Sequence, residues 1–236
     1  YAGECFSDEE CQRENIGREL CSYASSVEGA AEGYILINRQ QPENHMKSVD
    51  IAFPVYRGNL NQIEDTVRKV SSFCEKELKQ YDWHLVLGVN GWEAEKVLAL
   101  SKSLEKNFSR LRHYYTETPG KGAGLRTAWE QSKADIVAYI DIDLSADIKD
   151  LPTLLQGVEE YDICVGSRYH PGSNVQRGIV RQLASWVYHR IIQQFFLRTH
   201  CEDLHCGFKA FRRDVAQKLL PHVQDPGWYF DSEIII

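Results

Sequence analysis

The sequence contains no apolar run long enough to cross a bilayer. A spanning helix needs about 20 consecutive, mainly apolar residues, and charged or strongly polar residues interrupt every window of that length. Residues 1–16 also lack the apolar stretch that forms the core of a secretion signal. We therefore expect neither a spanning helix nor a signal peptide in this sequence, and we expect a cytoplasmic protein.

The chain also lacks an excess of positive charge. It has 27 Lys and Arg residues against 34 Asp and Glu residues, a formal net charge of −7, and this balance argues against general nucleic-acid binding through phosphates. The charge is unevenly distributed, since residues 168–213 contain eight Lys or Arg and only two acids. That basic tract predicts a local anionic partner: a phosphate, a diphosphate or an anionic membrane surface.

Disulfides cannot pair all the cysteines, because there are seven of them. Cys74 and Cys164 lie in apolar patterns, which indicates buried thiols in a reducing compartment. No zinc site is expected. The spacing of His200, Cys201, His205 and Cys206 does not suit the tetrahedral coordination of Zn²⁺.

The hydrophobic pattern changes near residue 49. Residues 1–48 are acidic and predict an N-terminal extension of unknown role, whereas 49–236 alternate between strand and helix patterns. This alternation predicts an α/β domain of three layers around a mainly parallel sheet. The predicted strands are 49–55, 84–89, 112–115, 136–140 and 163–165. The predicted helices are 61–79, 93–108, 123–132, 148–160 and 179–197, the first of them with a capping box at Asn61 and Glu64.

Two carboxylates, Asp141 and Asp143, directly follow the apolar run at 136–140. Ligands of open α/β sheets bind at the carboxyl ends of strands. Two acids at such an end can hold Mg²⁺ or Mn²⁺, which would in turn bind a diphosphate. Asp141 and Asp143 are therefore the predicted metal ligands, and Asp143 is also a predicted catalytic residue.

Other short motifs add candidate binding residues. Pro54 and Tyr56 follow the first predicted strand and suit the wall of a base-binding pocket. Gly120 and Lys121 lie in a glycine-rich turn that opens a helix, where backbone N–H groups can approach an anion. Arg168 has the forked donor geometry that phosphate prefers.

Acids near the end of the sequence are candidates for proton transfer or for positioning an acceptor. They are Asp203, Asp231 and Glu233.

In this order and spacing the motifs resemble the family 2 inverting glycosyltransferases of GT-A fold, and in particular the branch that acts on dolichyl and other polyprenyl phosphates. The resemblance runs from about residue 49 onward. It rests on Phe53-Pro54-Val55-Tyr56, Gly120-Lys121-Gly122, Asp141-Ile142-Asp143-Leu144-Ser145, Gly166-Ser167-Arg168, Arg181, Asp203-Leu204-His205-Cys206-Gly207-Phe208-Lys209 and Gly227-Trp228-Tyr229-Phe230-Asp231-Ser232-Glu233.

That resemblance implies a nucleotide-sugar donor of the GDP-mannose or UDP-glucose type, bound through a divalent metal at Asp141 and Asp143. It implies a polyprenyl or dolichyl phosphate acceptor that meets Arg168, Arg181 and Lys209. A lipid phosphate is already an anion at neutral pH, so its attack needs little help from a base.

The sequence departs from the family pattern at three places. Arg57-Gly58 follow the tyrosine where the family usually has Asn-Glu, and Ser145 stands where glutamine is frequent. Asn90 replaces an aspartate and can still bond a base or ribose, but without charge, so the donor stays open. Two alternatives also stay open: a degenerate module that only binds a nucleotide sugar, and a transferase that uses a soluble glycan.

The predicted helix 179–197 allows two interpretations. Its apolar stripe suits packing on the sheet, and its Trp186, Phe195 and Phe196 beside arginines suit peripheral contact with a membrane. The second interpretation implies a protein on the cytosolic face of a membrane.

Overall fold

The computed structural model describes residues 46–168 and 203–236. The predictions for the acidic extension, for Arg181 and for the helix 179–197 lie outside these described residues. No helix within the described ranges is long and apolar enough to cross a membrane.

Strands and helices alternate along the described chain, as the sequence predicts. The strands are β1 (Ser48–Val55), β2 (Asp82–Asn90), β3 (Leu111–Thr116), β4 (Ile136–Ile140), β5 (Ile163–Val165) and β6 (Phe208–Arg212). The α-helices are α1 (Leu60–Glu77), α2 (Glu95–Asn107), α3 (Lys121–Gln131), α4 (Leu151–Glu160), α5 (Arg213–Leu219) and the one-turn α6 (Phe230–Glu233). Short 3₁₀ turns lie at Arg57–Asn59, Ile148–Asp150 and Leu220–His222.

The six strands form one sheet in the order β3-β2-β1-β4-β6-β5. The pairs β1–β2, β2–β3 and β1–β4 are parallel. β6 runs antiparallel to both of its neighbours, β4 and β5. The expected α/β architecture with a mainly parallel sheet is thereby confirmed.

Hydrophobic periodicity explains why these elements form and how they pack. Ile63, Val67, Val70 and Cys74 recur at helical spacing in α1, and all four are buried. Every residue of β1 from Val49 to Val55 is buried, so helices cover both faces of the sheet's centre, as expected for parallel strands.

Three local predictions were wrong or incomplete. The capping box at Asn61 and Glu64 does not form, because α1 begins at Leu60 and Asn61 lies inside the helix. Pro54 does not end the first strand, because β1 continues to Val55 and Pro54 pairs with Gly88 of β2. On its other side β1 pairs with β4 only as far as Ala52. β6 and α5 were not predicted at all.

Candidate functional site

A large cleft lies at the carboxyl ends of the central strands. From β1 the sheet continues to β2 and β3 on one side and to β4 on the other, and ligands of open α/β sheets bind at such a switch point. This first cleft has a volume of about 1110 Å³. The predicted site residues that line it are Pro54, Tyr56, Asn90, Gly120, Lys121, Asp141, Asp143 and Arg168.

A second, smaller cleft adjoins the first. Its volume is about 420 Å³, and it is lined by Asp231, His205 and Tyr229 together with four residues shared with the first cleft. The shared residues are Lys121, Asp141, Arg168 and Trp228. Two ligands, one bound in each cleft, would therefore lie next to each other beside Lys121 and Asp141.

The turn after β4 presents the acid pair. The side chain of Asp141 is 26% exposed, and Asp143 is exposed. The backbone N–H of Leu144, which has a φ of 51°, donates to the carbonyl of Asp141 at 2.9 Å, and the Asp143 carboxylate accepts from Ser145 N–H at 3.0 Å. Gly207 makes room for Asp141, since a Cβ there would lie 1.8 Å from its Oδ2.

Lys121 joins the two clefts through ion pairs with two acids. Its Nζ lies 2.8 Å from Asp141 Oδ1 and 2.7 Å from Asp231 Oδ2, and it also lies 4.9 Å from the ring centre of Tyr139. Burial alone would lower the pKa of Lys121, but the charges of Asp231 and Asp141 outweigh it and raise that pKa above its ordinary value.

The two acids on Lys121 respond in opposite ways. Burial raises the pKa of Asp141, and Asp231 and Asp143 add to the rise, although Lys121 opposes it. Burial would also raise the pKa of Asp231, but Lys209 and Lys121 outweigh it, and the pKa lies below the usual aspartate value. Tyr139 Oη also donates to Asp231 Oδ1. An acid with both oxygens engaged and a lowered pKa is a poor general base, so we correct the expected role of Asp231 to holding Lys121.

Asp203 holds Arg168 in a fork. The Nε and Nη2 atoms of Arg168 donate to Asp203 Oδ2 and Oδ1 at 2.5 and 2.6 Å, and its backbone N–H adds a bond of 3.1 Å. Asp203 is 2% exposed. A carboxylate engaged in this way is poorly placed to accept a proton, so of the two roles predicted for Asp203 the geometry favours positioning, through the bonds to Arg168.

Lys209 does not reach either cleft, contrary to the prediction that it meets the acceptor phosphate. It is fully buried, and its Nζ donates to the carbonyls of Cys206 and Leu204 at 2.6 and 2.8 Å and to Tyr139 Oη at 3.1 Å. Its positive charge still acts on Asp231 from within the core. Lys209 is therefore a structural cation beneath the site.

The N–H groups of the glycine-rich turn bond to another segment of the same chain and not to an open anion site. The N–H groups of Gly122 and Ala123 donate to the carbonyls of Gly227 and Pro226 at 3.1 and 2.8 Å. Gly120 has a φ of 131°, and a Cβ there would lie 2.1 Å from Pro226 O. The turn docks the segment that precedes α6, and the predicted anion cradle at Gly120 is corrected accordingly.

Asn90 has a similar structural role. It is 5% exposed, its Nδ2 donates to Val55 O at 3.0 Å, and its Oδ1 accepts from Gly120 N–H at 3.0 Å. The side chain thus ties the end of β1 to the glycine-rich turn. The amide oxygen keeps a second lone pair and Asn90 lines the first cleft, so its bond to a base or ribose stays a prediction.

The acid pair fits a divalent cation shared with a ligand. No group of three or more His, Cys, Asp or Glu in residues 46–168 and 203–236 is arranged to hold a metal ion. Mg²⁺ sites, however, usually combine one or two carboxylates with phosphate oxygens of a substrate and water. Burial is the main cause of the raised pKa of Asp141, and Asp231 and Asp143 add to it. A cation bound between Asp141 and Asp143 would favour their charged forms.

Sequence reasoning missed three residues of the site. Tyr139 was counted as one residue of an apolar strand, although a tyrosine in a fully buried run signals a hydrogen-bonded hydroxyl. Trp228 was quoted only as part of a motif, and His205, whose Nδ1 lies 3.1 Å from Ser232 Oγ, only as a poor zinc ligand. The buried free thiols of Cys74 and Cys164 are confirmed.

Comparison with known proteins gives the chain a family context. Residues 50–220 match the family model described as Glycosyl transferase family 2. Glycosyltransferase AglD of Haloferax volcanii is 31% identical over 191 residues, which span 80% of this chain and 30% of that protein. The dolichyl-phosphate beta-glucosyltransferase of Saccharomyces cerevisiae is 24% identical over 137 residues, 52% of this chain and 41% of that protein. The chain thus spans less than half of either relative.

Solved structures agree on the fold. Glucosyl-3-phosphoglycerate synthase of Mycobacterium tuberculosis, in complex with Mn²⁺, UDP-glucose and phosphoglyceric acid, superposes with a TM-score of 0.56 at 18% identity. The match covers 80% of this chain and 63% of that chain. This likeness confirms the expected GT-A type of fold.

Proposed function

The chain belongs to glycosyl transferase family 2, and on that basis we propose that it transfers a hexose from a nucleotide sugar to a polyprenyl phosphate with inversion at the anomeric carbon. The observation that carries the proposal is the junction of the two clefts, where both clefts share Asp141, Lys121 and Arg168, with Asp143 beside them in the first cleft. Acids that suit a metal–diphosphate and cations that suit a phosphate thereby lie at one point.

The donor lies in the first cleft, with its diphosphate toward Asp141 and Asp143 and its base toward Pro54 and Tyr56. A divalent cation, Mg²⁺ or Mn²⁺, held by these two acids would stabilise the leaving diphosphate. The Mn²⁺ and UDP-glucose bound to the structurally similar synthase support this donor class. GDP-mannose and UDP-glucose are the two donor types that we propose to test.

The acceptor phosphate lies in the second cleft beside Arg168 and Lys121. One of its oxygens forms the new bond to the anomeric carbon as the bond from that carbon to the diphosphate oxygen breaks. A phosphate monoester is largely dianionic at neutral pH, so no side chain has to remove a proton. This account agrees with the engaged carboxylates of Asp203 and Asp231.

A lipid acceptor is favoured over the alternatives. The yeast relative is named for dolichyl phosphate, which supports a polyprenyl phosphate rather than a soluble glycan. A module that only binds nucleotide sugars has no need of cations in the second cleft. The lipid acceptor also implies peripheral contact with a membrane, and we propose that this contact is with the cytosolic face. Flotation with anionic liposomes at low and high salt measures the contact.

A donor screen tests the proposal. Purified protein is incubated with Mg²⁺, Mn²⁺ or EDTA, with GDP-mannose or UDP-glucose, and with either farnesyl phosphate or a soluble oligosaccharide. The products are read by mass spectrometry. We expect a farnesyl-phosphate hexose that forms with one donor and disappears with EDTA. Transfer only to soluble glycans, or no transfer with any donor, contradicts the proposal.

A further inference from the structure

Two neighbouring aromatic side chains stand exposed at the mouth of the second cleft. Trp228 is 74% and Tyr229 is 65% exposed, and both line that cleft. We call this pair the aromatic rim. Large apolar side chains that stay in contact with water beside a cleft typically mark a binding surface.

The backbone that carries the aromatic rim is held firmly. The carbonyls of Pro226 and Gly227 accept bonds from the glycine-rich turn at 2.8 and 3.1 Å. The carboxylate of Asp225 accepts from the N–H groups of Gly227 and Tyr229 at 3.0 and 2.7 Å. Glu233 in turn accepts from the N–H groups of Gln224 and Asp225 at 3.0 and 2.7 Å.

This bonding means that the aromatic rim is preformed. A ligand that packs on it does not have to order the loop first, which reduces the entropic cost of binding. The backbone contacts therefore fix the Cα positions from which the two exposed aromatic side chains project beside the junction of the clefts.

Charge and apolar surface are separated along the second cleft. Its inner, buried part holds Lys121 and Asp231, whose side chains are 6% and 3% exposed, and Arg168 and Asp141 also line the cleft. The Nζ atom of Lys121 lies 5.6 Å from the ring centre of Trp228. Tyr229 lies outside, with its ring 6.4 Å from the ring of His205. Burial lowers the pKa of His205, and Lys209 adds to this effect, so near pH 7 the imidazole contributes little charge to this outer part. The gradient from cations to aromatic rings matches a ligand with an anionic head and an apolar tail.

We propose that the aromatic rim binds the first isoprene units of the acceptor, next to its phosphate. The inference rests on the proposed function and deepens it, because it names the part of this chain that distinguishes a prenyl phosphate from a water-soluble phosphate ester. Trp228 and Tyr229 present flat apolar surfaces on which a branched, unsaturated chain packs. The phosphate meanwhile reaches Lys121 and Arg168.

The test measures how the acceptor KM depends on chain length. The 236-residue chain is assayed with isopentenyl, geranyl and farnesyl phosphates, which carry one, two and three isoprene units, and with 3-phosphoglycerate as a water-soluble phosphate ester. Wild type, Trp228→Ala, Tyr229→Ala and the double variant are compared. Trp92→Ala is the matched control, because Trp92 is 72% exposed and lines only the first cleft.

We expect the wild-type acceptor KM to fall with each added unit. In the double variant the KM for farnesyl phosphate should rise about 10- to 100-fold, as when anchoring aromatic side chains are truncated, and the dependence on chain length should flatten. The KM for isopentenyl phosphate should change much less. The donor KM is compared in Tyr229→Ala, where it should change little because Tyr229 lines the second cleft and not the first. Trp92→Ala should keep the wild-type dependence on chain length.

The outcomes separate this inference from the proposed function. If the double variant keeps the wild-type dependence on chain length, the aromatic rim does not bind the prenyl chain, although the proposed function stands. If wild type transfers sugar to 3-phosphoglycerate and to no prenyl phosphate, both are overturned. Trp228→Phe with Tyr229→Phe keeps the apolar surface and should restore the chain-length dependence, and its failure to do so in a folded protein also contradicts the inference.

Discussion

The ammonium group of Lys121 lies 2.7 Å from the carboxylate of Asp231, a residue 110 positions later in the chain. Both side chains are almost completely buried, with 6% and 3% of their surfaces exposed. A buried ion pair of this kind is maintained only where each partner compensates the charge of the other. The pair connects the start of α3 to α6 and thereby fixes the junction of the two clefts.

Replacing Lys121 should destabilise the fold. Lys121→Met keeps the length of the side chain but leaves Asp141 and Asp231 without their shared cation, which should cost about 3–5 kcal/mol of unfolding free energy. Urea denaturation measures the change. Lys121→Met combined with Asp231→Asn should recover part of the loss, and additive losses in the double variant would show that the two residues are not coupled.

The pH dependence of stability should identify Asp231. Its pKa is lowered in the folded protein, so the folded state binds fewer protons there than the unfolded state. The stabilisation is complete above the ordinary aspartate pKa of about 4 and is lost as the pH falls through the folded value. The deficit of Asp231→Asn in unfolding free energy should therefore be large at pH 7 and should shrink toward pH 3.

Asp150 provides a control of opposite sign. Burial raises the pKa of Asp150, and Asp147 adds to the rise, so ionised Asp150 opposes folding. Asp150→Asn should become more stable relative to wild type as the pH rises. If both variants follow the wild-type curve in parallel, the proposed charge environments of Asp231 and Asp150 are wrong.

The acid pair shows how far local sequence reasoning reaches. Asp141 and Asp143 follow an apolar run of five residues, and strand formation there needs only that run. Their position at the carboxyl end of β4 follows directly from the alternation of strands and helices. The parallel part of the sheet, β1 to β4, and the position of the first cleft at its carboxyl edge were therefore predictable from local patterns.

Lys209 shows where such reasoning stops. The segment Phe208–Arg212 carries two cations in five residues, so nothing local identifies it as a strand inside the sheet. It forms because β4 and β5 flank it, and the carbonyls of Leu204 and Cys206 accept bonds from the buried ammonium. Gly120 is similar, because its partner, Pro226, is remote in sequence and could not be inferred from the turn itself.

Gly120 should tolerate alanine less well than Gly91 does. Both have a positive φ, 131° and 87°, which costs an alanine about 1–2 kcal/mol. A Cβ added at Gly120 would also clash with the backbone, because it would lie 2.1 Å from Pro226 O. A Cβ added at Gly91 would lie 3.6 Å from its nearest neighbour, which is an ordinary contact. Gly120→Ala should therefore lose more unfolding free energy and also raise the acceptor KM by displacing the aromatic rim. Equal effects of the two substitutions would contradict the docking role of the turn.

Asp203 should act through Arg168. Asp203→Asn removes the charge from a fork whose two bonds measure 2.5 and 2.6 Å, and the loss of one such charged bond is worth about 1.5–3 kcal/mol. We expect the acceptor KM to rise about 10- to 100-fold, with a similar rise for Arg168→Lys, which cannot form the fork. The donor KM should stay within about twofold. A fall in kcat at unchanged acceptor KM would instead support the catalytic role first predicted for Asp203.

Asp143 should control metal-dependent binding of the donor. It is exposed at the first cleft, and its carboxylate accepts a bond from Ser145 N–H within its own turn, so Asp143→Ala should leave the fold intact. Removing one of two carboxylate ligands should cost several kcal/mol of metal-assisted diphosphate binding. Calorimetry with UDP or GDP, in Mn²⁺ and in EDTA, measures this difference directly.

Asp147→Ala is the matched control for Asp143→Ala. Asp147 is an exposed acid four residues away that accepts a bond from Lys149 N–H at 3.0 Å, and it lines neither cleft. The control should bind as wild type does, and Mn²⁺-dependent binding that survives unchanged in Asp143→Ala would refute the proposed metal site.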